Sequence, residues 1–126
     1  PKLINSFLQL AMFLESRLKL KPGAPSGELY QLLERELKSI DRSYTMDKGF
    51  LQIAGVEKPK TSIELETAIN LIRKNKTRTL IERKCLTVYI IRNYYAHNAT
   101  DYILNLFIKD YIHYTFWLLD LVVQFL

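Results

Sequence analysis

Three polar residues near the end of an apolar run have the types and spacing that acid–base chemistry on a phosphate requires. In the run from Cys85 to Asn98, Arg92 and Asn93 are adjacent, and His97 follows one helical turn after Asn93. A histidine can exchange a proton near neutral pH, and an arginine offers a planar fork of donors to a phosphate. Such groups can cleave RNA without a metal by deprotonating the 2′-hydroxyl, stabilising the phosphorane and protonating the leaving oxygen.

Helical geometry limits how Arg92 and His97 can act together. At about 100° per residue, these two side chains would point about 140° apart, whereas Asn93 and His97 would share a face. Arg92 and His97 could meet on one small anion if the helix loosens at His97, or if a dimer partner supplies a second copy of the motif. Because an unpaired charge in an apolar run is costly, Arg92 also needs either solvent or an acidic partner such as Asp101.

The rest of the sequence predicts the helices that must position these residues. The chain has 126 residues, of which 48% are hydrophobic, as expected of one folded domain over residues 1–126. Four glycines and four prolines are too few for a turn-rich all-β fold. Apolar spacings of three and four predict helices over residues 2–20, 28–44, 61–75, 78–97 and 102–126. The predicted fold is therefore an all-α bundle of about five helices.

Local signals mark the ends of these helices. Residues 21–27 contain two prolines and two glycines and are predicted to form a loop, while residues 45–60 form an irregular connection with one helical turn. Thr61 and Glu64 fit a capping box at a helix start, and residues 98–101 break the chain before the last helix. In the second helix, four apolar positions are predicted to face inward: Leu29, Leu33, Leu37 and Ile40. The absence of an initial Met and the apolar end suggest a domain excised from a larger protein.

Composition excludes several classes of site. The single cysteine, Cys85, rules out an internal disulfide and a cysteine-cluster zinc site, and two histidines are too few for a histidine-rich metal site. We therefore expect neither a metal nor another cofactor. The sequence has no secretory signal, and its most apolar stretch, residues 115–126, is too short to span a bilayer. A cytoplasmic protein without a membrane segment is expected.

The excess of positive charge lies in the middle of the chain. Lys and Arg number 18 against 13 Asp and Glu, which gives a net charge of +5. The basic segment, as we name it, comprises Arg73, Lys74, Lys76, Arg78, Arg83 and Lys84, interrupted only by Glu82. Such a segment is either a solvated junction between helices or a surface that follows the phosphates of RNA. Which of these two alternatives applies depends on whether a reactive site lies beside the basic segment.

The run Arg92-Asn93-Tyr94-Tyr95-Ala96-His97 resembles the R-x4-6-H signature of HEPN domains (higher eukaryotes and prokaryotes nucleotide-binding). The polar residue directly after the arginine and the alanine directly before the histidine are similar to a form common among the ribonuclease members. The position of the motif, late in an all-α domain and before the final helix, also resembles that family. Beyond the motif, the chain matches the family in architecture only.

That resemblance implies a HEPN-like bundle that forms a homodimer through the motif-bearing helix and the last helix. It implies a metal-independent endoribonuclease for single-stranded RNA, with Arg92 and His97 of both subunits facing each other. Arg92 would stabilise the scissile phosphate, His97 would act as general acid and base or hold the 2′-hydroxyl and phosphate, and Asn93 would support them. Such domains occur in CRISPR-associated ribonucleases and in toxin and abortive-infection systems of antiviral defence, often fused to a sensor domain.

Other roles for the motif and the basic segment remain open. The predicted RNA-binding residues are Arg73, Lys74, Lys76, Arg78, Tyr94 and Tyr95, although both tyrosines could instead pack in the core or in an interface. His113, in the last helix, is predicted to be structural. The main alternative function is a non-catalytic HEPN-like module for dimerisation or for binding a nucleotide or partner. A third is a nucleic-acid-binding domain that uses the basic segment without cleaving RNA.

Overall fold

The computed structural model describes the backbone of residues 2–97 and 108–126, and the side chains of residues 6–97 and 112–126. Within these ranges the chain is all-helical and contains no strand. The helices are α1 (Lys2–Lys19), α2 (Leu29–Ile40), α3 (Gly49–Ile53), α4 (Ser62–Lys74), α5 (Leu80–His97) and α6 (Ile108–Phe125). The predicted all-α fold is confirmed, and α3 is the helical turn predicted within the connection over residues 45–60. The predicted break at residues 98–101 and the predicted helix start at Tyr102 lie outside the described residues.

Side-chain caps start α4 where the sequence predicts. The hydroxyl of Thr61 accepts a hydrogen bond from the Glu64 amide at 3.1 Å, and the Glu64 carboxylate accepts one from the Thr61 amide, also at 3.1 Å. This reciprocal pair is the capping box, and it satisfies amide groups that have no partner within the first helical turn. The predicted loop after α1 is also present, and Gly23 there adopts a φ of +72°, which favours glycine.

α5 is the helix around which the other long helices are arranged. It contacts α1, α2, α4 and α6, and it is buried on several sides between Cys85 and Tyr95. A helix surrounded in this way needs apolar side chains on most of its faces. Cys85 is fully buried, and burial raises the pKa of its thiol, so the residue acts as a small apolar side chain. The central helix of the bundle therefore carries the motif of Arg92 and His97.

α2 follows the predicted inward face except at its last residue. Leu29, Leu33 and Leu37 are fully buried, as the apolar spacing predicts. Ile40 is 46% exposed, so its predicted inward position is wrong. α2 ends at Ile40, and Asp41 is already extended, so no further turn of helix covers the isoleucine. Among the helices of the described ranges, none has the combined length and apolarity that a membrane crossing requires.

The Glu82 carboxylate joins the start of α5 to the connection that follows α2. One oxygen accepts from the amide and the hydroxyl of Thr79, both at 2.8 Å, and the other accepts from the Thr45 amide at 2.8 Å. Arg78 adds a cation 3.9 Å away. Burial alone would raise the pKa of Glu82, but the hydrogen bonds from Thr79 and Thr45 outweigh burial and lower that pKa.

Replacing Glu82→Gln should destabilise the fold at neutral pH but much less in acid. Because the folded-state pKa lies below its ordinary value of 4.5, the stabilisation is present above about pH 4.5 and is lost as pH falls through the folded-state pKa. We expect the free energy of unfolding to fall by about 1–2 kcal/mol at pH 7. Urea unfolding at pH 7 and at about pH 2.5, well below the ordinary pKa, measures this change, with the exposed Glu66→Gln as a matched control. An equal loss at both pH values would contradict the account.

Candidate functional site

α5 stays helical through His97, so Arg92 lies on one face of the helix while Asn93 and His97 lie on another. The local loosening that could bring Arg92 and His97 of one chain together is therefore not seen in the described part of α5. Asn93 and His97 line one cleft, whereas Arg92 is directed toward α1. The angular separation expected from the sequence is thus preserved, and in one copy the two groups face different surroundings.

Arg92 forms an ion pair that crosses from α5 to α1. One guanidinium nitrogen lies 3.1 Å from a carboxylate oxygen of Glu15, and the other donates to the amide oxygen of Asn93 at 3.0 Å. Glu15 is only 8% exposed, and Lys19 approaches its other oxygen at 3.7 Å. The predicted need for an acidic partner is met by Glu15, while Asp101, the partner suggested by the sequence, lies outside the described residues.

Sequence reasoning missed Glu15, although one signal for it exists. Glu15 lies directly after the buried Leu14 and three residues before the buried Leu18, on the side of α1 that faces the core. A carboxylate at such a position is costly unless a cation or several donors satisfy it. A sequence with an acid on the apolar face of one helix and an arginine in the apolar run of another therefore predicts that the two side chains form an ion pair. Their separation of 77 positions hides the pair from local patterns.

A cleft of about 470 Å³ opens beside His97. Its walls come from the start of α2, the residue that precedes α3, the connection between α3 and α4, and the end of α5. Asn93 and His97 are on the α5 side, with Tyr30 and Lys48 opposite. The size lies in the usual range of small-ligand sites, about 300–1,000 Å³. The predicted catalytic residues Asn93 and His97 thus border a space that a molecule can enter, and Arg92 does not.

Lys48 is held firmly in the wall of this cleft. Its ammonium group lies 3.0 Å from a carboxylate oxygen of Glu57, 4.4 Å from the ring centre of Tyr30 and 5.2 Å from that of Tyr89. Burial alone would lower the pKa of Lys48, but the hydrogen bond to Glu57 and the neighbouring groups raise it. The hydrogen bond from Lys48 in turn lowers the pKa of Glu57. Both groups are therefore charged at neutral pH, and their ion pair holds Lys48 in the wall of the cleft.

No sequence pattern connected Lys48 or Glu57 to the motif. Both residues lie in the irregular connection over residues 45–60, where neither helical nor strand periodicity assigns a direction to a side chain. Their place in the cleft depends on how that connection folds against Tyr30 and Tyr89. The Tyr30 hydroxyl donates to the backbone oxygen of Met46 at 2.7 Å, which fixes the ring and the connection together.

The two tyrosines of the motif are buried. Tyr94 and Tyr95 are 2% and 4% exposed, and their rings meet edge to face with centres 5.0 Å apart. Of the two, only Tyr94 contributes to the wall of the cleft. Their predicted contact with RNA bases stays a prediction, and core packing accounts for their burial. His113 is exposed on α6, where its ring lies 4.9 Å from that of Trp117.

The basic segment lies at the other end of α5 from His97. α5 has 18 residues, and at about 1.5 Å per residue its ends are about 27 Å apart. RNA would therefore have to run along the whole helix to touch both the basic segment and the cleft. The two do not form one compact site.

Part of the basic segment is already paired within the chain. Arg78 pairs with Asp47 at 3.4 Å, and Lys84 pairs with Asp120 at 2.9 Å. Arg73 donates to the hydroxyl of Tyr114 at 3.3 Å, yet it is exposed like Lys74 and Lys76. The predicted RNA-binding residues that remain most open to solvent are therefore Arg73, Lys74 and Lys76.

Neither a group of metal-binding side chains in the described residues nor a known relative of the chain indicates what the cleft holds. Among the residues that the structure describes, no three His, Cys, Asp or Glu side chains are grouped so that they could hold a metal ion. Comparison of the chain with protein-family models, curated proteins and solved structures finds no match. The resemblance to HEPN domains therefore stays a prediction that depends on the motif and the helical architecture.

Removing the Arg92 guanidinium should destabilise the fold whatever its role in chemistry. Among the described side chains, Arg92→Ala leaves the buried Glu15 carboxylate with Lys19 as its remaining ion-pair partner, so we expect the free energy of unfolding to fall by about 1–3 kcal/mol. Arg92→Lys keeps the charge and should lose less. Urea unfolding at pH 7 measures these values, with the exposed Arg42→Ala as control. If Arg92→Ala were as stable as Arg42→Ala, the ion pair would not support the fold.

Proposed function

We propose that this chain is one subunit of a HEPN-type endoribonuclease that cleaves single-stranded RNA without a metal, at a site shared by two copies. The observation that supports this most is the division of the motif on an unbroken helix, with Arg92 on the α1 side and His97 at the cleft. Arg92 and His97 of one copy face apart, whereas two copies related by a two-fold axis can present one group each to the same phosphate.

The chemistry follows from the two side chains. Neutral His97 removes the proton of the 2′-hydroxyl, and the oxygen attacks the adjacent phosphorus, so the P–O2′ bond forms as the P–O5′ bond breaks. The imidazolium then returns its proton to the leaving 5′ oxygen, which gives a 2′,3′-cyclic phosphate and a 5′-hydroxyl end. Arg92 of the other copy donates to the non-bridging oxygens, where negative charge accumulates in the phosphorane.

The ion pair with Glu15 is compatible with that role for Arg92. A guanidinium has five N–H donors in a fixed plane, and the contacts to Glu15 and Asn93 use only part of them. The remaining donors can bind a phosphate while the carboxylate and the amide hold the plane of the fork. In this arrangement Glu15 and Asn93 are positioning residues, since they act through Arg92.

An exposed apolar stripe on α6 and the residue directly after it supports the association of two copies. Its side chains recur at the 4-3-4-3 spacing of a coiled-coil seam and are between 39% and 82% exposed: Ile112, Phe116, Leu119, Val123 and Leu126. Met12 and Phe13 of α1, exposed by 61% and 47%, add to the apolar surface of the chain. Water contact with so much apolar surface is unfavourable, and a seam of this spacing is complementary to another copy of itself.

A second candidate function is a non-catalytic dimerisation or partner-binding module of the same fold. The observation that favours it is the Arg92–Glu15 ion pair, because an arginine satisfied inside one chain could be kept for stability alone.

As a nuclease, the chain would act in the cytoplasm on cellular or invading RNA, with its activity controlled by a sensor domain of the parent protein. As a module, it would retain the dimer and lack cleavage.

RNA cleavage in the presence of EDTA separates the two functions. We expect wild-type dimer, with molar mass measured on the same sample, to cleave single-stranded RNA when metals are chelated. His97→Ala should lower the rate by at least about 100-fold, as expected from the loss of a general acid–base group. His113→Ala is the matched control, because it removes the other histidine of the chain, and it should retain activity. A dimer that never cleaves, or cleavage abolished by EDTA, would contradict the proposed mechanism.

A further inference from the structure

The cleft beside His97 is larger than the cleavage chemistry alone requires. Arg92 and His97 act on a phosphate and a ribose hydroxyl, yet the cleft continues from His97 across to Tyr30 and Lys48 on the far wall. Its volume of about 470 Å³ is far larger than one catalytic contact needs. A site of this size beside a reactive histidine can hold a further part of the substrate.

The charges of the walls indicate what kind of group fits there. Lys48 and Lys58 are balanced by Glu28 and Glu57, and Lys48 is already paired with Glu57 at 3.0 Å. The formal charges of these two lysines and two glutamates cancel. A site for an isolated phosphate would need an excess of positive charge, which these walls do not offer. The balance favours an uncharged group that forms hydrogen bonds.

The polar groups of the walls match the edge of a nucleobase. Gln31 carries an amide with both a donor and an acceptor, and Glu28 offers acceptor oxygens. The amide oxygen of Asn93 is engaged by Arg92 at 3.0 Å, so its amino group is the part left to donate to a molecule in the cleft. Unstacked RNA bases are recognised in this way, by donors and acceptors along their Watson–Crick edges beside aromatic side chains. Tyr30, which is only partly buried, supplies aromatic surface in the same walls, whereas the rings of Tyr89 and Tyr94 are almost fully buried.

We propose that the cleft is a specificity subsite that accepts one unstacked nucleobase of single-stranded RNA next to the phosphate cleaved by His97. The inference rests on the proposed ribonuclease function and deepens it, since the same histidine borders both the reaction and the base. The base enters between Asn93 and the Lys48 wall, and Gln31 and Glu28 hydrogen-bond to its edge. The enzyme therefore prefers particular bases at one position beside the cut.

Sequencing of cleavage ends from a random single-stranded RNA pool tests this subsite. Wild type should show a base preference at one position beside the cut, and Gln31→Ala and Glu28→Gln should each reduce that preference by about tenfold, the usual effect of losing a base contact. The matched control for the first variant is Gln9→Ala, an exposed glutamine on α1, and that for the second is Glu66→Gln on α4. A preference that both cleft variants leave unchanged overturns the subsite.

Binding of non-cleavable strands keeps the subsite testable if wild type does not cleave RNA. Fluorescence anisotropy with 2′-deoxy hexanucleotides of each single base should give a base-dependent Kd for wild type, and Gln31→Ala should remove that dependence. This outcome without cleavage rejects the nuclease and keeps the base site. Equal Kd values for all four bases, or no binding of any, overturn the subsite. A nucleoside monophosphate that binds as tightly as the hexanucleotide overturns the assignment to RNA.

Discussion

The ion pair between Arg92 and Glu15 fixes the direction in which α5 presents its motif, and the proposed chemistry depends on that direction. A carboxylate that is 8% exposed on the inner side of α1 needs a cation, and Arg92 supplies it at 3.1 Å. Because α5 is helical through His97, holding Arg92 toward α1 also fixes Asn93 and His97 at the cleft about 100° and 140° away. This contact, together with the packing of α5 against four helices, sets the positions of all three groups.

The same constraint explains why a second copy is central to the proposed function. A helix cannot turn Arg92 toward its own His97 without breaking backbone hydrogen bonds, and α5 is the most buried helix of the bundle. In the proposed dimer, association would cost less than unwinding α5, because it would use apolar side chains of α6 that already face solvent. In this view, the dimer interface and the catalytic site depend on each other. The cleft is lined by residues of one copy, so the proposed base subsite would need no partner.

Interactions between near neighbours in the chain made the helices and loops predictable, but they did not reveal the contacts between distant residues. The capping box of Thr61 and Glu64, the loop over residues 21–27 and the helical turn within residues 45–60 depend on near neighbours in the chain, and the sequence indicates all three correctly. The inward position predicted for Ile40 is wrong because apolar periodicity does not show where a helix ends, and α2 ends at this residue. Glu15 and Lys48 depend on contacts with residues far along the chain, so no spacing revealed them. The motif was visible from its residue types, but the cleft beside it was not.

The most direct test of the account is a mixed dimer. Chains carrying Arg92→Ala and chains carrying His97→Ala, each with a different affinity tag, are co-expressed and purified through both tags in succession. Such a dimer keeps one Arg92 and one His97, and these two residues lie on different subunits. If the two residues act across the interface, the mixed dimer should cleave RNA in EDTA at about half the wild-type rate or somewhat below, while both mutant homodimers are at least about 100-fold slower. A folded mixed dimer as inactive as its parents would contradict catalysis by Arg92 and His97 in trans.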